Sequence, residues 1–178
     1  DGGIVDVKNR GMGLALGKLA AEYLITNHSA ELGFKFAIAR CFSFAGEFLP
    51  MNLHYAFGDF VSSALKNQTL HIHGDGATKR SYLYMGDCMA WLLRLLINPS
   101  NDLFNVGSEA QIEIQELANR IVSVLGSRSK VELVDRQVRE GNFERTTYIP
   151  STEKIRQFYP QLREWTSLND IILKMAGR

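Results

Sequence analysis

Residues 71–96, HIHGDGATKRSYLYMGDCMAWLLRLL, constrain the fold of this chain more than any other stretch. A short apolar run, residues 69–73, ends at the turn Gly74-Asp75-Gly76, where glycine permits a positive φ. The alternating residues 81–84 then predict a short strand. Asp87 stands at an N-cap position before apolar residues at helical spacing. The stretch therefore predicts a strand, a turn, a second strand and a capped helix.

The remaining sequence alternates between strands and helices in the same way. Strands are predicted over residues 34–42, 103–106 and 130–134. Helices are predicted over residues 11–27, 54–66, 113–125, 152–158 and 167–175. Ser151 and Ser167 are the expected caps of the last two helices, and residues 43–53 and 136–150 are the expected loops. Because strands and helices alternate and 46% of the residues are hydrophobic, we predict a single compact α/β unit over residues 1–178.

The charge balance excludes several classes of partner. A formal net charge of +1 gives no electrostatic basis for binding nucleic acid or an anionic membrane, and no apolar run is long enough to span a bilayer. The two cysteines, Cys41 and Cys88, lie in apolar surroundings and are expected to be buried, reduced core thiols, although the sequence would also allow them to pair. A cytoplasmic setting is expected.

Motifs along nearly the whole chain resemble the extended short-chain dehydrogenase/reductase family, whose members epimerise or dehydrate nucleotide sugars with NAD. The first is Gly74-Asp75-Gly76 followed by Arg80-Ser81-Tyr82, Tyr84 and Asp87. Five further stretches match that family in order and spacing: residues 17–22, 40–46, 104–108, 139–142 and 151–156. The resemblance implies the C-terminal part of a Rossmann-type parallel sheet together with the small substrate-binding domain.

The resemblance also implies that this sequence lacks one half of such an enzyme. In the family, the nicotinamide-binding half with its glycine-rich turn precedes the position of Gly11. We therefore expect a fragment that binds no NAD by itself, although the full-length family binds NAD. A competing interpretation takes Gly11-Met12-Gly13, after residues 4–7, as a dinucleotide-binding turn. Arg40 and Cys41 oppose it, because an acidic residue should end the next strand.

Lys18 is the candidate catalytic residue. The family's counterpart binds the nicotinamide ribose and lowers the pKa of a tyrosine one helical turn earlier, an arrangement that makes a general base. Leu14 occupies that tyrosine position here, and leucine has no titratable proton. The alternative, a solvated helix lysine with no catalytic role, is left open.

Ser43, Arg80 and Arg139 are the candidate substrate-binding residues. The family has a substrate-contacting asparagine at the position of Ser43, and arginines at the other two positions hold the diphosphate. Guanidinium groups suit phosphate oxygens because they donate in bidentate geometry. The alternative for Ser43 is a turn-forming serine, and the alternative for each of the two arginines is a surface ion pair. His71 and His73 share a strand face but have no third ligand at a suitable spacing, so no metal is expected.

These expectations give one principal hypothesis and one alternative. The chain would be the sugar-nucleotide-binding portion of a nucleotide-sugar epimerase or 4,6-dehydratase, inactive alone, with a nucleoside-diphosphate sugar as its ligand. It would associate as a homodimer or with the missing N-terminal half. The alternative is a non-catalytic module of the same ancestry that binds sugar nucleotides or another protein.

Overall fold

The computed structural model of the chain describes residues 10–51, 55–134 and 147–178. Six helices follow one another in these ranges: α1 (Gly13–Leu32), α2 (Ala56–Leu65), α3 (Met85–Ile97), α4 (Ile114–Leu125), α5 (Glu153–Phe158) and α6 (Leu168–Met175). The strands are β1 (Ala37–Cys41), β2 (Phe44–Ala45), β3 (Leu70–His73), β4 (Lys79–Ser81), β5 (Leu83–Tyr84), β6 (Asp102–Val106), β7 (Gln111–Glu113), β8 (Val131–Val134) and β9 (Thr147–Tyr148). Helices and strands alternate as predicted.

The strands pair mostly in parallel, which confirms the predicted α/β class. β1 pairs with β6 from Ala37↔Asp102 to Cys41↔Val106, and helices α2 and α3 lie between these two strands in the sequence. The pairs β3–β8 and β2–β5 are also parallel. β4 is the centre of a three-stranded sheet, antiparallel to β7 and parallel to β9. Parallel pairing requires such long crossover connections, so the alternation in sequence dictates this topology.

Two clusters of buried side chains form the core of the described residues. One joins α2, α4 and α6 to β3, and it contains Phe57 and Phe60. The other joins α3, α5 and β6, and it contains Trp91 and Phe104. Each large apolar side chain buried in this way contributes about 1.5–3 kcal/mol. These four aromatic side chains are each 4% exposed or less.

Helix α1 is much less buried than the rest of the described chain. Among its described residues only Ser29 is buried, whereas Leu14 is 75% exposed and Leu24 is 51% exposed. A bidentate ion pair fixes this helix to β1, because Arg40 donates from Nε and Nη2 to Glu22 at 2.8 and 2.6 Å. The helix extends beyond the predicted residues 11–27 and ends at Gly33, whose φ of 70° is left-handed.

Two of the three predicted helix caps are wrong. Asp87 lies inside α3, where its buried carboxylate accepts from the backbone N–H groups of Trp165 and Thr166. At α5 the N-cap residue is Thr152 rather than Ser151. The Glu109 carboxylate accepts hydrogen bonds from the N–H group and the hydroxyl of Thr152. Ser167 does cap α6, because its hydroxyl accepts from the N–H group of Asp170.

Candidate functional site

A cleft of about 1120 Å³ opens between α2, the end of β1 and the strands β3 and β4. Its floor and walls are rich in aromatic side chains and hydroxyl groups. The polar and charged residues that line it are Ser43, Asp59, Ser62, Ser63, Lys66, Gln68, Thr69, His71, His73, Thr78 and Arg80. Several aromatic residues complete the lining: Phe42, Phe44, Tyr55, Phe57, Phe60, Tyr82 and Tyr148.

Ser43 reaches the cleft because it lies two residues beyond the end of β1. β1 ends at Cys41, and the neighbouring Phe42 continues the pairing by donating its N–H to the Val106 carbonyl at 2.8 Å. The Ser43 carbonyl then accepts from the N–H group of Leu83 at 3.1 Å. These bonds hold the loop beside β5, so the predicted substrate residue lies in the cleft wall.

Arg80 lies on the cleft side of β4, and strand alternation explains its position. Its neighbour Ser81 is fully buried on the opposite face, whereas Arg80 and Tyr82 both line the cleft. The guanidinium group donates from Nη1 to the Lys79 carbonyl at 2.8 Å. Burial raises the pKa of Tyr82 to about 12, and the Arg80 charge opposes that rise. Arg80 therefore occupies a fixed, half-buried position next to a phenol that stays protonated.

The charges on the cleft wall favour an anion. Lys66 and Arg80 are positively charged, His71 and His73 carry ring N–H groups that can donate hydrogen bonds, and Asp59 is the acidic residue among those described in the lining. Lys66 is a cleft residue that the sequence did not single out, because a lysine directly after a predicted helix resembles an ordinary exposed residue. His71 and His73 have the predicted common strand face, and among the described residues no group of three metal-ligating side chains occurs.

Two aromatic rings stack in the cleft lining, and a glycine packs against one of them. Phe42 and Tyr148 stack with ring centroids 4.8 Å apart. A Cβ atom on Gly107 would come within 2.9 Å of both Phe42 Cβ and Pro150 Cγ, so no larger residue fits between them. Tyr148 was missed from the sequence because β9 has two residues and lies in a stretch predicted as a loop.

Lys18 lies outside the cleft lining but acts on a residue within it. Cys41 lines the cleft and is exposed, so the expectation that it is buried is wrong. Its pKa is lowered to about 7, most of all by a hydrogen bond from the Cys88 thiol. Burial opposes this shift, and the positive charge of Lys18 adds to it. Leu14, one helical turn before Lys18, places an exposed aliphatic side chain where the family has tyrosine. The structure thus brings Ser43 and Arg80 together, with Lys18 near Cys41.

Arg139 lies outside the described residues, so its assignment stays a prediction. The glycine-rich interpretation of Gly11-Met12-Gly13 finds no geometric support. Residues Arg10–Met12 form a 3₁₀ turn that runs directly into α1, and a Cβ atom on Gly13 or Gly17 would meet nothing within 4 Å. Dinucleotide-binding glycines are needed for close approach and tight packing. The turn Gly11-Met12-Gly13 therefore does not fit an NAD pyrophosphate site.

Two sequence comparisons extend these findings. A family model described as "NAD dependent epimerase/dehydratase family" matches residues 13–107. The UDP-glucuronic acid decarboxylase 1 of Danio rerio is 27% identical over 118 residues, which are 66% of this chain and 28% of that protein. The UDP-glucuronic acid decarboxylase 4 of Arabidopsis thaliana is 28% identical over 116 residues, or 65% of this chain and 26% of that protein. The chain thus spans less than a third of these two relatives.

Solved structures with a similar fold align with most of this chain, and the aligned part is about half of each solved chain. The UDP-glucose 4-epimerase of Thermotoga maritima, solved with UDP-glucose, has a TM-score of 0.77 and 21% identity, covering 90% of this chain and 50% of its own. The UDP-N-acetylglucosamine 4-epimerase of Methanobrevibacter ruminantium, in complex with UDP-N-acetylmuramic acid, has a TM-score of 0.78 and 19% identity, covering 92% and 52%. This likeness confirms the predicted Rossmann-type α/β fold. Among the described residues, no helix is long and apolar enough to cross a membrane.

Proposed function

Because this chain belongs to the NAD dependent epimerase/dehydratase family, we propose that its cleft binds the nucleoside-diphosphate end of a nucleotide sugar. The observation that carries the proposal is the convergence of Ser43 and Arg80 on one cleft with Lys66 and two histidines. A diphosphate needs several fixed donors, and a guanidinium group presents two of them in one plane.

The rest of the cleft suits the other end of such a ligand. Aromatic rings and hydroxyl groups occur together in the lining, as expected of a site that stacks a base and hydrogen-bonds a ribose. The names of the curated relatives contain UDP, which makes uridine diphosphate the first probe to use. Arg139 remains a proposed second phosphate contact, outside the described residues.

The parent reaction would be an NAD-dependent epimerisation or 4,6-dehydration of the sugar, and this chain alone would be inactive. NAD supplies reversible hydride transfer in such enzymes. The contribution of this chain would be to hold the sugar nucleotide, with Lys18 placing a positive charge beside the cleft. Leu14 cannot exchange a proton, so the position at which the family has its tyrosine supplies no catalytic base in this chain.

A non-catalytic binding module remains the alternative, and Leu14 is the observation that favours it. At 75% exposure this side chain makes little contribution to packing, so its presence at the tyrosine position is not explained by the core. In either case α1 presents apolar side chains to solvent. We propose that a missing N-terminal half or a second copy of the chain covers them, since contiguous exposed apolar surface usually marks an interface.

Titration calorimetry of the purified chain tests the proposal. We expect uridine or thymidine diphosphate to bind, NAD to show no binding in the micromolar range, and a nucleoside-diphosphate sugar with NAD to undergo no turnover. Absence of nucleotide binding would contradict the site. Micromolar NAD binding or steady turnover would contradict the assignment of the chain as the substrate-binding portion alone.

A further inference from the structure

One face of α2 lines the cleft with polar side chains, most of which the proposed phosphate contacts do not use. Asp59, Ser62, Ser63 and the C-cap residue Lys66 all belong to the cleft lining. Their spacing of i, i+3, i+4 and i+7 places them on a single face of the helix. The opposite face of α2 is buried in the core. These four residues form the polar stripe of α2.

The carboxylate and the two hydroxyl groups of the stripe have no partner within the described part of the chain. No group there donates a hydrogen bond to Asp59 or forms an ion pair with it, and the side chains of Ser62 and Ser63 make no hydrogen bond. All three residues are partly buried, so their polar groups have lost some water without gaining a protein contact. A first-turn carboxylate suits the helix dipole, but the dipole does not account for two hydroxyl groups on the same side. These groups are therefore available to a ligand in the cleft.

The two ends of the stripe suit different parts of a ligand. At an α-helical rise of about 1.5 Å per residue, Asp59 and Lys66 lie about 10 Å apart along the axis. The Lys66 ammonium group suits a phosphate, whereas a carboxylate repels a phosphate and accepts hydrogen bonds only. Asp59 therefore needs a ligand group that donates. In a nucleoside-diphosphate sugar, the adjacent hydroxyl groups of the sugar rings are such donors.

We propose that the polar stripe of α2 is a subsite for a sugar ring, in which the Asp59 carboxylate accepts from two adjacent ring hydroxyls and Ser62 and Ser63 hydrogen-bond to the same ring. The inference rests on the proposed function, because it takes the diphosphate of the same ligand to be bound in this cleft. Carboxylates hold ribose hydroxyls in this way at dinucleotide sites. The ribose and the hexose of a nucleotide sugar both carry such a diol beside the diphosphate, and the choice of ligands distinguishes them.

Titration calorimetry with uridine diphosphate, 2′-deoxyuridine diphosphate and UDP-glucose tests the subsite. If the diol belongs to the ribose, the wild type should bind uridine diphosphate roughly tenfold more tightly than its 2′-deoxy analogue. If the diol belongs to the hexose, the wild type should prefer UDP-glucose to uridine diphosphate by a similar factor. Asp59→Ala should remove most of whichever preference the wild type shows, and Asp59→Asn, which keeps an acceptor oxygen, should retain part of it. The control Glu31→Ala removes an exposed carboxylate outside the cleft lining and should keep the wild-type preference.

The preference between ligands separates a sugar contact from a carboxylate that touches no ligand. Such a carboxylate would only repel the diphosphate, so Asp59→Ala would tighten the binding of all three ligands by a similar factor. That result, a uniform weakening, or a wild type without either preference would overturn the subsite and leave nucleotide binding intact. A wild type that binds none of the three would contradict the proposed function as well. Circular dichroism checks folding, and if Asp59→Ala does not fold, Asp59→Asn and the double variant Ser62→Ala/Ser63→Ala should each still reduce the preference.

Discussion

Arg80 shows at the scale of one residue how strand alternation creates a binding side chain. The two-residue period of β4 buries Ser81 and turns Arg80 and Tyr82 toward the cleft. The sequence identified Arg80 by its motif, and the structure adds Lys66 and Tyr148 as neighbours that no local pattern indicates. Such neighbours come from distant parts of the chain, and only the packing of α2 and β9 brings them to the site.

Replacing Arg80 should weaken nucleotide binding without unfolding the chain. Losing a hydrogen bond to a charged group costs about 1.5–3 kcal/mol, and each 1.4 kcal/mol is a tenfold change in affinity. We therefore expect Arg80→Ala to weaken uridine diphosphate binding by roughly ten- to a hundredfold in calorimetry. Arg80→Lys should restore part of the affinity, because an ammonium group lacks the planar fork.

The matched control for Arg80 is Arg128→Ala, which removes an exposed arginine outside the cleft lining. This variant should bind the nucleotide like the wild type. If Arg80 were only a surface ion-pair residue, its loss would matter by at most about 1 kcal/mol. Equal affinities for the wild type and Arg80→Ala would remove the support for Arg80 as a phosphate ligand.

Asp87 is a structural residue whose role the sequence misidentified. Its side chain accepts from two backbone N–H groups and from the Thr166 hydroxyl, and it is 5% exposed. Removing it leaves buried donors unsatisfied, which costs about 1–3 kcal/mol for each group. Asp87→Ala should lower the free energy of unfolding in urea by roughly 2 kcal/mol or more. Asp87→Asn retains one acceptor oxygen and should lose less, and equal stability of Asp87→Ala and wild type would contradict this role.

At the scale of elements, the long helices were predictable and the shortest strands were not. The apolar period of residues 113–125 identifies α4, whose actual bounds are Ile114–Leu125. β2 and β9 have two residues each, which is too short for any period, and they exist because a partner strand lies alongside, whereas β5 lies within the predicted strand 81–84. The caps failed for a similar reason, since Asp87 and Glu109 bond to residues 43 or more positions away.

Helix α1 is the least buried helix among the described residues. It contacts β1 through the pair Glu22–Arg40, and the hydrogen bond from Arg40 lowers the pKa of Glu22. A lowered carboxyl pKa contributes stability above the unfolded-state value of about 4.3, and that contribution disappears as the pH falls through the folded-state value. The pair therefore holds α1 to the sheet at neutral pH, although several apolar side chains of the helix stay exposed.

The exposed face of α1 should make the isolated chain self-associate. Sedimentation velocity at increasing concentration should show an average mass that rises above that of a monomer. Leu24→Glu adds a charge at a position that is 51% exposed, so it should reduce association without destabilising the fold. The control is Leu133→Glu, an equally exposed leucine on β8. A wild-type chain that stays monomeric at high concentration would contradict the prediction.

At the scale of the whole molecule, the fold class and order of elements follow from the sequence, but the completeness of the site does not. The chain covers about half of the solved epimerases that it resembles and less than a third of two curated relatives. Within that share lie Ser43, Arg80 and Lys18, whereas the position of a catalytic tyrosine holds Leu14. The proposed contribution of this chain is therefore a binding cleft.

Nuclear magnetic resonance mapping of uridine diphosphate binding tests that claim most directly. Titrating the nucleotide into the ¹⁵N-labelled chain should shift amide signals of Ser43, His73 and Arg80, with smaller changes in the loop that precedes α2. Signals around Trp165, which lines a separate cavity of about 350 Å³, should not move. Shifts confined to that second cavity, or no shifts at saturating nucleotide, would contradict the assignment of the cleft as the nucleotide-binding site.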